Sequence, residues 1–589
     1  MTKEWISEVF KFLKGIYQGD PYSSSIFRMV FQPLIDVIMS FKESHGYQLG
    51  GTKVISTPLA DDFDLISNHV KKHQNFRLDI QRKAESMGLT FKPSKCQSLS
   101  IQGGKVTDIR FFLLDGNGER VFLNNMEDDP HKFLGSSITK SNSPADHFSF
   151  LKEKLECKLR NLNETRVRGE YKIAVYSRYI LPSLQFHFSV HNIHKTHLDI
   201  LDHLARKLLK SWLNFPSRGV TDLGIFHPSI LGIKYPSQVY LEAHMNSFIS
   251  LKLSEDPVVR EAVACQLVRE GAWVKKSSTA VECQDMFDKL SENHPIPAPD
   301  SYDTATRRMD IQRLKKAGKS MVADKYQERA SETSIQLVVQ GGLASLLVEE
   351  KSSMDWQSLI YAVPRGVMAF AARSSTNSLA SPDNLARWKK IVHPKCPLCS
   401  VSPCTLGHLL SNCQQALNRY EWRHNNIVKY LHSTAHSQGM EAYADLEGCR
   451  VNGVTIPANI IITGLKPDLV LINRSSSPQE VTLVELTVPW ESSQGLENAR
   501  VRKDQRYEDL SDDIKNNGFK CNSLQLEVGV RGYINARNKG VLTRIAKLLK
   551  IKKIKDLMKK CSKLALLGSF VIWNARHSED WTSGSYLKP

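Results

Sequence analysis

The sequence lacks any run of about 18 apolar residues, the length that a membrane-spanning helix needs. Its opening residues also lack the basic and then apolar layout of a secretory signal. We therefore expect an intracellular protein without a membrane partner. Internal repeats and low-complexity tracts are lacking as well. The chain is long: its 589 residues are more than a single hydrophobic core accommodates, and they predict roughly three to five domains.

Acidic residues are in the minority. The chain has 61 Asp and Glu against 79 Lys and Arg, which gives a formal net charge of +18 and a pI of about 9.3. Such an excess favours a polyanionic partner, because basic side chains that contact phosphates release condensed counterions. Charge alone does not separate DNA from RNA, and a soluble basic protein without such a partner is the alternative.

The cysteines do not form the even, regularly spaced set of a disulfide framework. There are eleven, and seven of them are scattered singly between Cys96 and Cys561. The other four lie close together, between Cys396 and Cys413. This distribution predicts a reduced chain with one metal site.

The clustered residues follow the spacing Cys-x2-Cys-x8-His-x4-Cys. Two close-spaced ligands from a turn, with a His and a Cys about one helical turn apart, can complete a tetrahedral Cys3His site, so a structural zinc ion is expected. The alternatives are buried free cysteines and the use of Cys404 as a ligand. The predicted ligands are Cys396, Cys399, His408 and Cys413.

Four short motifs follow one another in the first 140 residues. They are QGDPYS from Gln18, LADDFDL with Asp61 and Asp62, GLTFKPSKC with Lys95, and HKFLGSSI at 131–138. An Asp-Asp pair in a tight turn between strands suits nucleotidyl transfer, which needs carboxylates that hold two Mg²⁺ ions. In this order and spacing the motifs resemble the successive reverse-transcriptase motifs of LINE-type (non-LTR) retrotransposons.

The resemblance implies that Asp61 and Asp62 are palm carboxylates. It also implies that the loop at Gln18 touches the incoming nucleotide or the template, and that Lys95 lies near the triphosphate. Without the other motifs, an Asp-Asp pair is more simply a solvated turn. The family has a further palm aspartate on an earlier strand, but only seventeen residues precede Gln18 and none is Asp. We therefore expect an incomplete polymerase site and a partial open reading frame.

Farther along the chain, the segments KPDLVLI and VTLVELTVPWE precede the helical pattern SSQGLENARVRKDQRYEDL. Asp468 and Glu485 are expected at the ends of two neighbouring strands, where carboxylates can hold a divalent metal that activates water. This order resembles the restriction-like endonuclease of the same elements, a variant of the PD-(D/E)xK nuclease fold. The resemblance implies that Asp468 and Glu485 are catalytic and bind Mg²⁺ or Mn²⁺.

The lysine that usually stands two residues after the second carboxylate is absent, because position 487 is Thr. In the helix that follows, Lys503 falls on an otherwise apolar face together with Tyr507 and Leu510. An inward-facing lysine needs a reason, and the family resemblance also implies a lysine moved from strand to helix. Lys503 is therefore the predicted catalytic lysine.

Three further residues are candidates around this site. Arg423 and His424 are expected to bind the scissile phosphate, although a lone His is often a satisfied core residue. Glu491 is expected either to support the metal site as a further carboxylate or to be exposed to solvent in a loop.

The predicted fold class is multidomain α+β. Its expected parts are a partial right-hand reverse-transcriptase palm at 1–140, a helical thumb at 141–291, a linker and helical region at 292–392, a CCHC zinc knuckle at 393–415 and an α/β restriction-like nuclease at 416–589. Nuclease strands are expected at 456–465, 466–473, 480–488 and 524–534. A basic helical stripe at 543–567 is expected to turn its charged face towards DNA.

The function expected from the resemblance is metal-dependent nicking of target DNA, which in the family exposes a 3′ hydroxyl for primed reverse transcription of element RNA. Target DNA and element RNA are the expected partners, and the nucleus is the expected location. RNA-directed DNA polymerase activity is expected of the family but not of this chain. The alternatives are a non-catalytic nucleic-acid-binding remnant, a domesticated transposon protein and a stand-alone structure-specific nuclease.

Overall fold

The computed structural model describes residues 20–60, 62–125, 131–138, 143–216, 220–227, 230–267, 278–296, 304–349, 363–492 and 507–581. The chain forms two compact units, each assembled from three segments. Unit 1 contains Met1–Lys154, Leu184–His197 and Tyr240–Met321. Unit 2 contains Leu155–Ser183, Leu198–Val239 and Val322–Pro589. The five-part division expected from the sequence stays a prediction.

Unit 1 begins with a small core between two helices, α1 (Ser23–Ser40) and α3 (Val70–Ser86). Phe31, Leu34 and Ile38 are buried on α1 because their i, i+3, i+7 spacing puts them on one helical face. A short helix, α2 (Lys42–His45), follows α1.

Short strands make up the rest of this part of unit 1. In the described residues they pair two by two, as β1–β2, β3–β8, β4–β5, β6–β7 and β9–β10. The strands are β1 (Tyr47–Leu49), β2 (Thr52–Val54), β3 (Gln97–Ser98), β4 (Ser100–Gln102), β5 (Lys105–Thr107), β6 (Phe112–Leu114), β7 (Arg120–Phe122), β8 (Asn124–Asn125), β9 (His131–Phe133) and β10 (Ser136–Ile138).

Helices dominate the middle of the chain. None of the helices in the described ranges combines the length and apolar character needed to cross a membrane. The helices are α4 (Pro144–Glu164), α5 (Gly169–Val175), α6 (Pro182–Val190), α7 (Lys195–Trp212), α8 (Leu223–Phe226), α9 (Pro236–Lys252), α10 (Pro257–Leu267), α11 (Ser278–Asn293), α12 (Thr304–Ile335), α13 (Gly342–Glu349), α14 (Val367–Ser375) and α15 (Pro382–Arg387).

The last part of unit 2 contains a four-stranded sheet of order β11-β12-β13-β14. The first three strands are antiparallel neighbours, whereas β13 and β14 are parallel and are separated in sequence by a helix at 507–516, α17. A helix is the usual connection between parallel strands. The elements are α16 (Leu417–Ser437), β11 (Glu441–Ala444), β12 (Leu469–Asn473), β13 (Glu480–Thr487), β14 (Lys520–Glu527), α18 (Ala536–Leu548) and α19 (Ile554–Asn574).

Both faces of this sheet are covered. Side chains such as Leu471 and Val484 pack on one face in a core shared with α16, α18 and α19. Val470 and Leu483 point to the other face, where they pack with Tyr507 and other residues of α17. Because successive side chains of a strand alternate between faces, double coverage explains why the central strands are almost continuously apolar.

The prediction of a mixed α/β chain is confirmed, but the strand predicted at 524–534 ends at Glu527, and the strand predicted at 456–465 is wrong. Residues 456–465 form turns and loop rather than a strand. Pro457 lacks the N–H that a ladder needs, and its carbonyl accepts a hydrogen bond from Ile460 N in a turn. Ile456 and Ile460 still reach the core beside α17, while Ile462 is 90% exposed.

Candidate metal centre and carboxylate site

Four side chains of unit 2 form a cluster that can hold a metal ion. The ligand atoms of Cys396, Cys399, His408 and Cys413 all lie within 4.8 Å of one another. Cys396 Sγ is 3.8 Å from Cys413 Sγ, and Cys399 Sγ is 3.2 Å from His408 Nε2. A tetrahedral zinc site with Zn–S of about 2.3 Å has S···S edges of about 3.8 Å, so the donor set and its dimensions fit zinc.

The local backbone explains how these ligands meet. Cys396 and Cys399 belong to one turn, in which Ser400 N donates to Cys396 O. His408–Asn412 is a π-helical turn, and its wide i→i+5 hydrogen-bonding pattern brings His408 and the following Cys413 to one side. Burial and the neighbouring cysteines raise the pKa of the Cys404 thiol. Cys404 is buried, but the four-atom group forms without it.

Asp468 and Glu485 are in contact at one end of the β12–β13 pair. The register of the two strands ends at Leu469 opposite Val484, and Asp468 immediately precedes β12 while Glu485 belongs to β13. Asp468 N donates to Glu485 Oε1 at 3.1 Å, and Leu486 N donates to Asp468 Oδ2 at 2.8 Å. By alternation with Leu483, the side chain of Glu485 belongs to the sheet face that α17 covers. Two carboxylates in this arrangement supply the hard oxygen donors that Mg²⁺ or Mn²⁺ prefers.

His424 completes this cluster from α16. Its Nε2 lies 3.3 Å from Asp468 Oδ2 and 3.2 Å from the Leu486 carbonyl oxygen, and its Nδ1 lies 3.0 Å from Asn425 Oδ1. The ring is 23% exposed, so it is reached by solvent rather than enclosed in a core. The structure thus brings three of the predicted residues together, and they combine carboxylate oxygens with a group that can move a proton.

Arg423, the neighbour of His424, is not placed to contact a phosphate. Its side chain is 1% exposed, and its Nη1 donates to Leu410 O and Ser569 Oγ, both at 2.9 Å. Nη2 donates to Val488 O at 3.3 Å. The predicted role in phosphate binding is wrong because α19 covers this side of α16. The Arg423 guanidinium instead links the Cys/His segment, the residue after β13 and α19 by hydrogen bonds.

The environment of Arg423 is closely packed. A Cβ at Gly568 of α19 would lie 2.4 Å from Arg423 Cγ, so glycine is needed at that crossing. Burial lowers the pKa of the Arg423 guanidinium to about 10, which leaves it charged at neutral pH. Tyr420 also links α16 to the Cys/His segment, because its hydroxyl accepts from Cys413 N at 3.1 Å and lies 3.0 Å from Leu409 O.

Glu491 is buried rather than exposed in a loop. Its Oε2 accepts from Arg531 Nε at 2.9 Å and its Oε1 accepts from Arg531 N at 2.6 Å. Arg531 also stacks over the Trp490 ring, with 4.2 Å to the centroid. One carboxylate oxygen therefore forms an ion pair with the Arg531 guanidinium and the other accepts from the Arg531 backbone, and the expectation of a metal-supporting carboxylate is corrected to a structural role.

Among the polymerase-like residues, Asp62 and Lys95 are described and both are exposed. Asp62 closes a tight turn, in which Leu59 N donates to Asp62 O at 2.7 Å and Asp62 N donates to Leu59 O at 3.1 Å. Lys95 ends a short 3-10 helix, Pro93–Lys95. Gln18 and Asp61 lie outside the described residues, so the predicted polymerase site stays a prediction.

Lys503 also lies outside the described residues. Its predicted neighbours on the helical face, Tyr507 and Leu510, are buried against the sheet, with 3% and 2% exposure. The apolar face expected for this helix is therefore present in its described part.

Sequence reasoning missed two polar residues of β14. Gln525 pairs with Glu485 across the parallel β13–β14 ladder, and Glu527 pairs with Thr487. Both are buried, and Glu527 Oε2 accepts from Asn538 Nδ2 at 2.6 Å. The signal was available in LQLEV, where polar residues alternate with apolar ones and so belong to one sheet face.

No protein-family model matches the chain. Over 224 residues, or 36% of its length, the chain is 23% identical to the retrovirus-related Pol polyprotein from type-2 retrotransposable element R2DM of Drosophila melanogaster. The match spans 20% of that relative, so the chain corresponds to about a fifth of the relative's length.

Proposed function

From the 23% identity to a retrotransposon Pol polyprotein over 36% of the chain, we propose that this chain is a retrotransposon polyprotein that nicks target DNA in a metal-dependent reaction of the PD-(D/E)xK type. The observation that carries the proposal is the contact between Asp468, just before β12, and Glu485 of β13, in which Asp468 N donates to Glu485 Oε1 at 3.1 Å, with His424 Nε2 3.3 Å from Asp468 Oδ2. In this proposal the cut supplies the 3′ hydroxyl for reverse transcription of element RNA.

Asp468 and Glu485 would hold Mg²⁺ or Mn²⁺, which when bound lowers the pKa of water and stabilises charge on the phosphate. The backbone of Leu486 fixes the Asp468 carboxylate. His424 is placed to hold or move a proton at Asp468, because its Nε2 is within hydrogen-bonding reach of that carboxylate. Lys503 is proposed to orient the attacking water.

The Cys/His cluster is proposed to hold a structural zinc ion, because all four positions are filled by protein ligands. Its link to the carboxylate site is physical. Arg423 binds Leu410 O, just after His408, and the next residue along α16 is His424. Zinc would therefore help to fix the start of α16 and, with it, the imidazole beside Asp468.

The polymerase-like half is proposed to contact element RNA through the segments around Gln18, Asp62 and Lys95, with Asp61 and Asp62 as its carboxylates. The support is the ordered series of motifs and the tight turn at Leu59–Asp62. A nuclear location is part of the same proposal, because target DNA is there.

The test is a supercoiled-plasmid nicking assay with Mg²⁺ or Mn²⁺. Asp468→Asn and Glu485→Gln should each remove nicking, because each loses a negative metal ligand while keeping the side chain's size. Asp512→Asn is the control, since Asp512 lies on α17 but is exposed and pairs only at the surface with Lys515. DNA binding by the unaltered chain without any metal-dependent nicking would make it a non-catalytic nucleic-acid-binding protein and refute the proposal.

A further inference from the structure

The segment 537–563, which covers most of α18, the short connection after it and the first half of α19, carries more than half of the net charge of the chain. Residues 537–563 contain eleven Lys and Arg but only one acid, Asp556, a net charge of +10 within a chain of +18. We name the exposed cations of this segment the basic ridge. The basic ridge consists of Arg537, Lys539, Arg544, Lys547, Lys550, Lys552, Lys553, Lys555 and Lys560.

The packing of the two helices explains why these cations are on the surface. On α18, Leu542 and Ile545 are buried in the core beneath the sheet, and on α19 Leu557 and Cys561 are buried in the same core. Each pair is three or four residues apart, so each helix turns one apolar side inward and its opposite side outward. The basic residues between these positions are held at the surface by the fold.

The charge of the basic ridge is not balanced by the protein. Within the described part of the chain, none of its nine cations forms an ion pair with an acidic side chain. Other exposed cations of the same unit do so, such as Arg450 with Asp445 at 2.7 Å and Arg474 with Glu441 at 2.8 Å. Uncompensated like charges repel one another and oppose the compact state, so a polyanion bound along the ridge would relieve that repulsion.

The basic ridge begins at the end of the sheet that holds the carboxylate site. Asn538, in the first turn of α18, donates through Nδ2 to Glu527 Oε2 at 2.6 Å and accepts from Glu527 N at 2.8 Å. Glu527 pairs with Thr487, which is two residues beyond Glu485 on β13. Arg537 and Lys539 therefore flank a residue that is anchored close to the carboxylates.

We propose that the basic ridge is the surface on which duplex DNA docks while the carboxylate site cuts it. The thirteen residues of α18 rise through about 20 Å, a little over half a turn of a B-DNA helix, and α19 continues the charged surface. The choice of duplex DNA as the occupant rests on the proposed nicking function. The charge density of the ridge suits the phosphate backbone, so this docking is independent of base sequence.

The experiment removes four ridge charges at once, in a variant with Lys547, Lys550, Lys552 and Lys555 each changed to Gln. A matched control loses the same charge from α12, with Arg308, Lys315, Lys316 and Lys319 changed to Gln. The affinity for a duplex oligonucleotide is measured against salt concentration. The logarithm of the binding constant decreases linearly with the logarithm of the salt concentration. The steepness of this dependence should decrease by about 4 in the ridge variant, about 1 for each lost phosphate contact, and should stay unchanged in the control.

Two further measurements separate this proposal from the proposed function. Asp468→Asn should bind duplex DNA with the original salt slope, and the ridge variant should still nick at saturating DNA, because it loses affinity and not catalysis. A reduced slope in the ridge variant would support the ridge even if the unaltered chain never nicked DNA.

Three results would overturn the ridge proposal. The first is an unchanged slope in the ridge variant, and the second is an equal fall in the control, which would reflect net charge alone. The third is weaker binding only to an RNA hairpin or to anionic phosphatidylserine vesicles, with duplex binding intact. That outcome would assign the surface to a different partner.

Discussion

Replacing Arg423 by Met tests whether this arginine is a structural tie or a phosphate ligand. The change removes hydrogen bonds to Leu410 O, Ser569 Oγ and Val488 O. Hydrogen bonds from a charged donor contribute about 1.5–3 kcal/mol each, or roughly 5–9 kcal/mol for three. The cost of burying the charge opposes this gain. The fall of the Arg423 pKa from 12.5 to about 10 corresponds to roughly 3 kcal/mol. The expected net loss of stability on substitution is therefore about 2–6 kcal/mol.

The matched control for this prediction is Arg419→Met. Arg419 is buried on the same helix, but its guanidinium donates to Ala575 O and Ser578 O and not to the Cys/His segment. Both variants should unfold at lower urea concentration, whereas only Arg423→Met should also release zinc faster to a chelator and weaken nicking. A variant with the original urea midpoint but weaker DNA binding would show that Arg423 contacts phosphate, and would refute this reasoning.

Three other predictions follow from the same geometry. Cys413→Ser should lower the zinc content of the protein, measured by mass spectrometry, and destabilise unit 2, whereas Cys404→Ser should retain its zinc. Loss of zinc from both variants would show that Cys404 is also a ligand. Burial lowers the pKa of His191 and His244 in unit 1 from 6.5 to about 4. Between pH 6.5 and pH 4 the unfolded chain therefore binds more protons at these residues than the folded chain does, so the melting temperature of unit 1 should fall as the pH is lowered through that window. An equal melting temperature at about pH 7 and pH 5 would contradict this. Gln525→Leu should reduce nicking about 10- to 100-fold, because Gln525 is the neighbour of Glu485 on the parallel strand β14. The control Ser523→Ala, on the same strand, should nick at nearly the original rate. Equal nicking by both variants would show that Gln525 does not belong to the site.

Local patterns account for what could be predicted of the candidate site. The Cys-x2-Cys-x8-His-x4-Cys spacing predicted the ligand cluster that the structure forms, because a turn and one helical turn bring those residues together whatever surrounds them. The strands at Asp468 and Glu485 were predicted for a similar reason, since short apolar runs between polar residues are typical of buried strands.

Predictions failed where a local pattern had two tertiary solutions. The run at 456–465 is apolar enough for a strand, but Pro457 and the turn to Ile460 make it a loop that still contributes to the core. Arg423 and Glu491 were assigned to the site from their positions in the chain. Both are instead enclosed, by α19 and by Arg531 respectively.

The sequence by itself determined the mixed α/β character, the Cys/His cluster, the order of the two carboxylate-bearing strands and the concentration of positive charge in α18 and α19. These features depend on composition and on spacings of a few residues. The tertiary structure alone decided that Asp468 contacts Glu485, that Gln525 is the partner of Glu485 on β14, and that Arg423 is buried while His424 reaches the Asp468 carboxylate. The physical reason is that cross-strand register and helix-on-sheet packing join residues far apart in the chain, and no spacing within one segment specifies which of two adjacent side chains will be covered.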